Sequence, residues 1–156
     1  MCNPIEAILS SGRAAALVIA GGGSGALHTL LAHPGASRFV LEAQIPYSPE
    51  ALTDYLGQPP HSACSTSAVI AMVEKAFERA QFLSNSKTPL GVACTAALQT
   101  TRTRKGRDRA FIAFKTSAQT VVHELDLPSG TRLEQETEVS QTLLKHLAEF
   151  LAGSKT

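Results

Sequence analysis

The sequence predicts an α/β protein, a three-layer α/β/α sandwich around a mixed, mostly parallel sheet. Three observations carry this. An apolar run at residues 15–20 passes directly into Gly21-Gly22-Gly23-Ser24-Gly25 and then into a helix-forming segment, the strand–turn–helix passage of α/β folds. Strand-like and helix-like segments alternate from end to end, with no repeat, low-complexity tract or linker to divide them. Residues 90–94 are apolar throughout, as expected of a strand covered on both faces inside a parallel sheet.

Each element has its own local cause. Asn3 and Pro4 suit an N-cap and first helical position, opening a short helix that Gly12 closes before the strand at 15–20. A helix over 25–32 is stopped by His33-Pro34-Gly35, and a second strand follows over 38–46. The next helix, 49–56, ends at Gly57 ahead of Gln58-Pro59-Pro60. From about 67 to 83, Val69, Met72, Val73, Ala76, Phe77 and Ala80 recur at three-and-four spacing, so one helical face is buried, while Glu74, Lys75, Glu78 and Arg79 mark the solvent face. Cys64-Ser65-Thr66-Ser67 precedes this helix and reads as its cap. Strands at 109–116 and 120–125 flank Ser117-Ala118-Gln119 and form a hairpin. The last helix, 132–151, turns Val139, Leu143, Leu144, Leu147 and Phe150 inward.

With 156 residues, the chain is expected to fold as one domain, 1–156, burying about two thirds of its unfolded surface without disulfides or metals. Three scattered cysteines, Cys2, Cys64 and Cys94, and no signal-peptide pattern point to a reducing, cytoplasmic setting. No apolar run approaches the roughly 20 residues that span a bilayer, so no membrane association is expected. Fourteen Lys+Arg stand against 13 Asp+Glu, which excludes a global field for nucleic acid. The basic side chains crowd into one segment instead, at Arg102, Arg104, Lys105, Arg107 and Arg109. No aromatic residue interleaves them, so RNA binding is not expected either. The histidines and cysteines show no metal-ligand spacing, and neither a metal nor a cofactor is predicted.

Chemistry in an open α/β sheet sits beyond the carboxyl ends of the strands. Three loops there carry the candidates: Gly21, Gly22, Gly23, Ser24 and Gly25; Pro46-Tyr47-Ser48-Pro49-Glu50; and Cys94-Thr95-Ala96-Ala97. Glycine lets the backbone approach an anion, and the following helix offers unpaired N–H groups with a partial positive charge, so the first loop is a phosphate-binding candidate. It has neither the dinucleotide-binding glycine spacing nor the lysine of a P-loop. Tyr47 and Thr95 are expected to complete the pocket, and Arg102, Arg104 and Arg107 to close over a phosphate with their planar donor forks. His28, inside the first-loop helix, is a further group within reach of the site.

Taken in order, these loops resemble the CinA C-terminal domain family, whose members include nicotinamide mononucleotide deamidases. The family's first loop typically reads Glu-Ser-x-Thr-Gly-Gly, its second Tyr-Ser-Asn-x-x-Lys, and its third strand ends in Val-Thr-Gly. Here the second loop is Tyr47-Ser48-Pro49-Glu50-Ala51-Leu52, preceded by Pro34-Gly35-Ala36-Ser37 where the family has Pro-Gly-Ser-Ser. The third reads Ala93-Cys94-Thr95-Ala96, and Cys64-Ser65 stands where members have Val-Ser before a long helix. The match runs from Ala15 to Phe150. It implies the family's fold and a small, nucleotide-like ligand.

The resemblance also implies a loss. Deamidases of the family attack the amide through the serine of the first loop, helped by the lysine of the second. Aligning Thr-Gly-Gly with Gly23-Ser24-Gly25 puts Gly21 at that serine and Leu52 at that lysine. A hydroxyl nucleophile needs a base, and here both are missing, so the expected protein is a pseudoenzyme that binds without deamidating. Two alternatives stay open: a rebuilt hydrolase centre using Ser24, Tyr47, Cys94 or Thr95, or a non-catalytic module that forms a homo-oligomer or docks another enzyme of nicotinamide nucleotide metabolism.

Overall fold

The computed structural model describes residues 3–84, 88–100 and 107–153. Its elements follow in the order α1 (Pro4–Leu9), β1 (Arg13–Ala20), α2 (Ser24–Leu31), β2 (Val40–Gln44), α3 (Pro49–Leu56), α4 (Thr66–Leu83), β3 (Thr88–Ala97), β4 (Arg109–Lys115), β5 (Thr120–Asp126) and α5 (Arg132–Gly153). A single 3-10 turn, Ala36–Arg38, leads into β2.

Side-chain acceptors start most of the helices. Asn3 Oδ1 accepts from the Ile5 N–H at 2.9 Å, with Pro4 at the first position where no N–H is needed. Ser48 Oγ accepts from Ala51 at 3.0 Å, and Ser65 Oγ from Ala68 at 3.1 Å, which gives the 64–67 segment the capping role its sequence suggested. A capping box opens α5: Thr131 Oγ1 accepts from the Glu134 N–H while the Glu134 carboxylate accepts from the Thr131 N–H.

The five strands form one sheet in the order β2-β1-β3-β4-β5. It is parallel through β2-β1-β3 and antiparallel through β3-β4-β5. β3 is longer than the sequence suggested and is the hinge of this change, parallel to β1 on one side and antiparallel to β4 on the other. Its apolar reading on both faces therefore reports helices above and below, not the direction of its neighbours.

Alternation along the strands builds two cores. Ala15, Leu17 and Ile19 of β1 join Leu90, Val92 and Cys94 of β3 and Ile112 and Phe114 of β4 beneath α1, α2 and α5. Val18, Ala20, Ala93, Phe111 and Ala113 point the other way, against Val69, Met72, Val73 and Ala76 of α4 and Leu52 and Tyr55 of α3. This is the three-layer arrangement. α4 lies close because Gly91 leaves room: a Cβ there would come within 2.8 Å of both the Phe77 nitrogen and the Val73 oxygen. Phe150, expected to face inward, is half-buried and packs its ring on Phe114 at 5.3 Å. Among the described residues, no helix is long and apolar enough to cross a membrane.

Edge strand β2 is fastened to α4 by a two-pronged ion pair, Arg79 Nε and Nη2 each donating at 2.8 Å to the Glu42 carboxylate. The guanidinium hydrogen bond outweighs partial burial and holds the Glu42 carboxyl below its ordinary value. A carboxyl depressed in the folded state contributes stability above its unfolded pKa and loses it as pH falls through the folded one. Urea unfolding should therefore find wild type more stable than Glu42→Gln at neutral pH, with the gap closing in acid. An unchanged gap at low pH would show that the pair's charge contributes nothing.

Candidate ligand cleft

Because β1 connects to β2 on one side and the chain then returns to β3 on the other, the sheet reverses its winding between β1 and β3. The carboxyl ends of these parallel strands open there, and such a reversal is where α/β sheets hold ligands. The glycine turn leaves β1 at this point and the chain beyond Ala97 leaves β3, so the two loops face each other.

The glycine turn is shaped by neighbours on β3. Gly21 has φ +80°, and a Cβ on it would be driven into the Ala96 carbonyl oxygen. Gly23 has φ +110°, with Cys94 Sγ 3.0 Å from where its Cβ would lie. Both positions therefore require glycine for backbone conformation and for close approach. The Cys94 thiol donates upward to the Gly22 carbonyl at 3.4 Å.

An internal carboxylate occupies the amides that the sequence offered to a phosphate. Glu136 of α5 accepts from the Gly23 N–H at 2.8 Å through Oε1 and from the Gly25 N–H at 3.1 Å through Oε2. Ser140 Oγ donates to the same Oε2 at 2.5 Å. A Cβ at Gly25 would fall 2.8 Å from Ser140 Oγ and 3.3 Å from that carboxylate, so glycine permits the approach. Negative charge at the start of α2 is favoured by the helix dipole.

Beside this tie lies a cleft of about 450 Å³. Ile19, Ile45, Leu98 and Leu133 give it apolar walls, and Gly21, Ser24, Tyr47, Arg132 and Glu136 complete it. Arg132 bridges the mouth, donating to the Gln99 carbonyl at 3.0 Å, the Gly21 carbonyl at 3.3 Å and the Tyr47 hydroxyl at 3.1 Å. The loop after β3 is pinned to α5 by buried Gln135, whose Oε1 accepts from the Gln99 N–H at 2.7 Å and whose amide nitrogen donates to Asp108 at 2.9 Å.

A second cavity of about 340 Å³ adjoins the first, sharing Gly21 and Tyr47 with it. Leu52, His61, Cys64 and Thr95 are on its wall. The loops carrying Ser24, Tyr47 and Thr95 thus reach the same edge of the sheet but divide between two cavities: Ser24 lines the first, Thr95 the second and Tyr47 both. Two hydroxyls of these loops are engaged with backbone. Thr95 Oγ1 donates to the Ala63 carbonyl at 2.6 Å, and Ser48 Oγ is the α3 cap. Cys64 Sγ is directed at the carbonyl oxygens of Arg109 and Thr95, at 3.6 and 3.9 Å.

Other candidates fall elsewhere. Cys94 is fully buried and lines neither cavity, and burial pushes its thiol far above its ordinary value, so it cannot supply a thiolate nucleophile. Leu52 is buried beside Tyr55, Val69 and Met72, with one side on the wall of the second cavity. His28 is exposed on α2. Arg107 pairs with Glu124 and Asp126 of β5 at 3.5 Å each, not with the glycine turn. Arg102 and Arg104 lie outside the described residues. Among the described residues, no group of three or more His, Cys, Asp or Glu is placed to hold a metal ion.

The charged residues of the cleft, Arg132 and Glu136, were missed as site residues although a signal was present. Glu136 stands three and seven residues before Val139 and Leu143, which puts a carboxylate on the inward stripe of α5, and Arg132 is one turn before it. An acidic side chain on an apolar stripe demands a partner.

Two outcomes follow from the turn. Gly21→Ala should destabilise the fold by roughly 2–4 kcal/mol, combining a disallowed backbone conformation with a backbone clash; a chemical-denaturation curve superimposing on wild type would contradict the packing described. Alkylation of native protein, read by mass spectrometry, should leave Cys94 unmodified until denaturant is added. Rapid native labelling of Cys94 would mean that the turn opens readily.

No family's sequence profile and no curated protein matches this chain. Solved structures do. A CinA superfamily protein of Klebsiella pneumoniae aligns with a TM-score of 0.77 at 16% identity, covering 98% of this chain and 100% of that one. The competence/damage inducible protein CihA of Agrobacterium tumefaciens gives 0.77 at 18% identity over 97% and 98%. A CinA superfamily protein of Escherichia coli gives 0.68 at 14% over 94% and 83%. With likeness spanning nearly the whole chain and sequence identity this low, the chain is CinA-like in fold.

Proposed function

We propose that this protein is a diverged CinA-like domain that binds a small phosphate-bearing, nucleotide-like ligand in the cleft between the glycine turn and α5, without deamidating it. The observation that carries this reading is an apolar cleft bridged by a fixed guanidinium, at a turn whose position 21 has no room for a serine side chain. Nucleotide-like ligands have a flat apolar part and an anionic part. Ile45, Leu98 and Leu133 suit the first, and Arg132, held by three acceptors, suits the second. The anion contact moves in this reading from the glycine amides, which Glu136 fills, to Arg132.

The loss of catalysis rests on two positions. In the alignment with CinA deamidases, Gly21 replaces the nucleophile and cannot regain a side chain without displacing Ala96. Leu52 replaces the lysine and offers the second cavity only an apolar side chain with no titratable group. A hydrolase with a rebuilt centre loses two of its four candidates, since Cys94 is buried with its pKa raised and Thr95 donates to a backbone carbonyl; Ser24 and Tyr47, both on the cleft wall, are the groups it would use. A second reading is favoured by the rim: Ile45, Tyr47 and Leu133 are 50%, 66% and 75% exposed around one opening, an apolar margin suited to a second copy of the chain. The setting that goes with either reading is the cytoplasm and nicotinamide nucleotide metabolism.

Calorimetric titration with nicotinamide mononucleotide, nicotinic acid mononucleotide and their nucleosides tests the first reading. Nucleotides should bind more tightly than nucleosides, Arg132→Ala should lower nucleotide affinity roughly ten- to hundredfold, and Arg107→Ala should leave it unchanged. Ammonia release should be negligible; turnover on the order of 1 per second would refute the loss of catalysis. Equal affinity for nucleotide and nucleoside, with self-association that Leu133→Asp abolishes, would favour the second reading.

A further inference from the structure

We propose that Glu136 is a specificity-determining residue of this cleft, a tethered anion that takes the place of an external phosphate at the glycine turn and turns phosphate away from it. This deepens the cleft reading and rests on it for its biological meaning, though not for its test. Three observations converge. The Glu136 carboxylate lies across the amides of Gly23 and Gly25, using both oxygens, with Ser140 Oγ as a third donor. It also forms part of the cleft wall, so any ligand in the cleft meets it. Finally, Gly25 lacks the Cβ that would keep this carboxylate away.

The consequence is a choice of ligand. A phosphate seated on the turn would need the same two N–H groups and would meet a fixed negative charge. The cation of the cleft, Arg132, stands one helical turn before Glu136 and directs its donors to the Gly21 and Gln99 carbonyls and the Tyr47 hydroxyl, while Glu136 takes the Gly23 and Gly25 amides. The cleft therefore sorts ligands by where their charge falls. It accepts an anionic group at Arg132 and refuses one at the turn, and the group nearest Glu136 must be a hydrogen-bond donor or apolar.

A purely structural carboxylate, one that only ties α5 to α2, would give the same contacts, and phosphate binding to variants separates the two. The probe is inorganic phosphate at constant ionic strength, followed by the amide resonances of Gly23 and Gly25, with chloride as control. Wild type should show no saturable shift of these two amides through the millimolar range. In Glu136→Ala they should shift saturably with phosphate, at least about tenfold tighter than any wild-type response, and phosphate should raise the variant's melting temperature while chloride does not. Glu136→Gln, which keeps a neutral acceptor for Gly23 and so preserves the fold, should also respond to phosphate, more weakly than the alanine variant. Saturable binding at these amides in wild type would overturn the proposal. So would the absence of a phosphate response at Gly23 and Gly25 in the folded variants. Because inorganic phosphate and the turn amides report directly, failure of the nucleotide-like reading would leave this result standing, and the reverse.

Discussion

The carboxylate of Glu136 joins the first loop of the fold to its last helix, reaching across more than a hundred residues of sequence to the Gly23 and Gly25 amides. Remove it, and two donors at the start of α2 lose their acceptor in a partly buried place, the kind of omission that costs more than the bond itself contributes. The tie fixes where α5 begins over the sheet. Since Arg132 and Gln135 belong to the same first turns of α5, it also fixes the guanidinium over Tyr47 and Gly21 and the amide that pins the loop after β3. The cleft is bounded on one side by this chain of contacts.

The opposite side is bounded by small residues. The turn has three consecutive glycines, and at Gly21, Gly22 and Gly23 the chain comes so close to Ala96, Leu98 and Cys94 that a Cβ would collide with them. At Gly21 and Gly23 this closeness is combined with positive φ, a conformation that a side chain would strain. The same glycines that suggest an anion site in the sequence are thus also needed for packing. A glycine-rich turn after a strand reports that something approaches the backbone; here what approaches is β3 from one side and Glu136 from the other.

This difference explains what could be read in the sequence. Elements with a local cause were legible: the N-caps at Asn3 and Ser65, the three-and-four stripe of α4, and the β4–β5 hairpin around Ser117-Ala118-Gln119. The resemblance in the three loops led to the right fold because the loops follow β1, β2 and β3, whose carboxyl ends share one edge. The site was legible only in part. Ser24, Tyr47 and Thr95 were placed on that edge, but their division between two cavities depends on how Tyr47 stands between them, which no local pattern encodes. Arg107 was chosen for its donor fork within a basic segment, and its partners Glu124 and Asp126 sit across the hairpin in β5. Glu136 showed only as an acidic residue on the inward stripe of α5, and its partners are backbone N–H groups that leave no mark in the sequence beyond glycine.

The arrangement has a consequence for charge. Arg132 and Glu136 stand one turn apart on α5, where an isolated helix would let them pair with each other. Instead each is turned to backbone, the guanidinium to two carbonyl oxygens and a phenol, the carboxylate to two amides and a hydroxyl. Both satisfy groups that the loops after β1 and β3 leave open, so the cleft wall carries one cation and one anion, each held by its own partners. On the proposed reading, the orientation of a bound molecule would follow from these two side chains on one helix, Arg132 and Glu136.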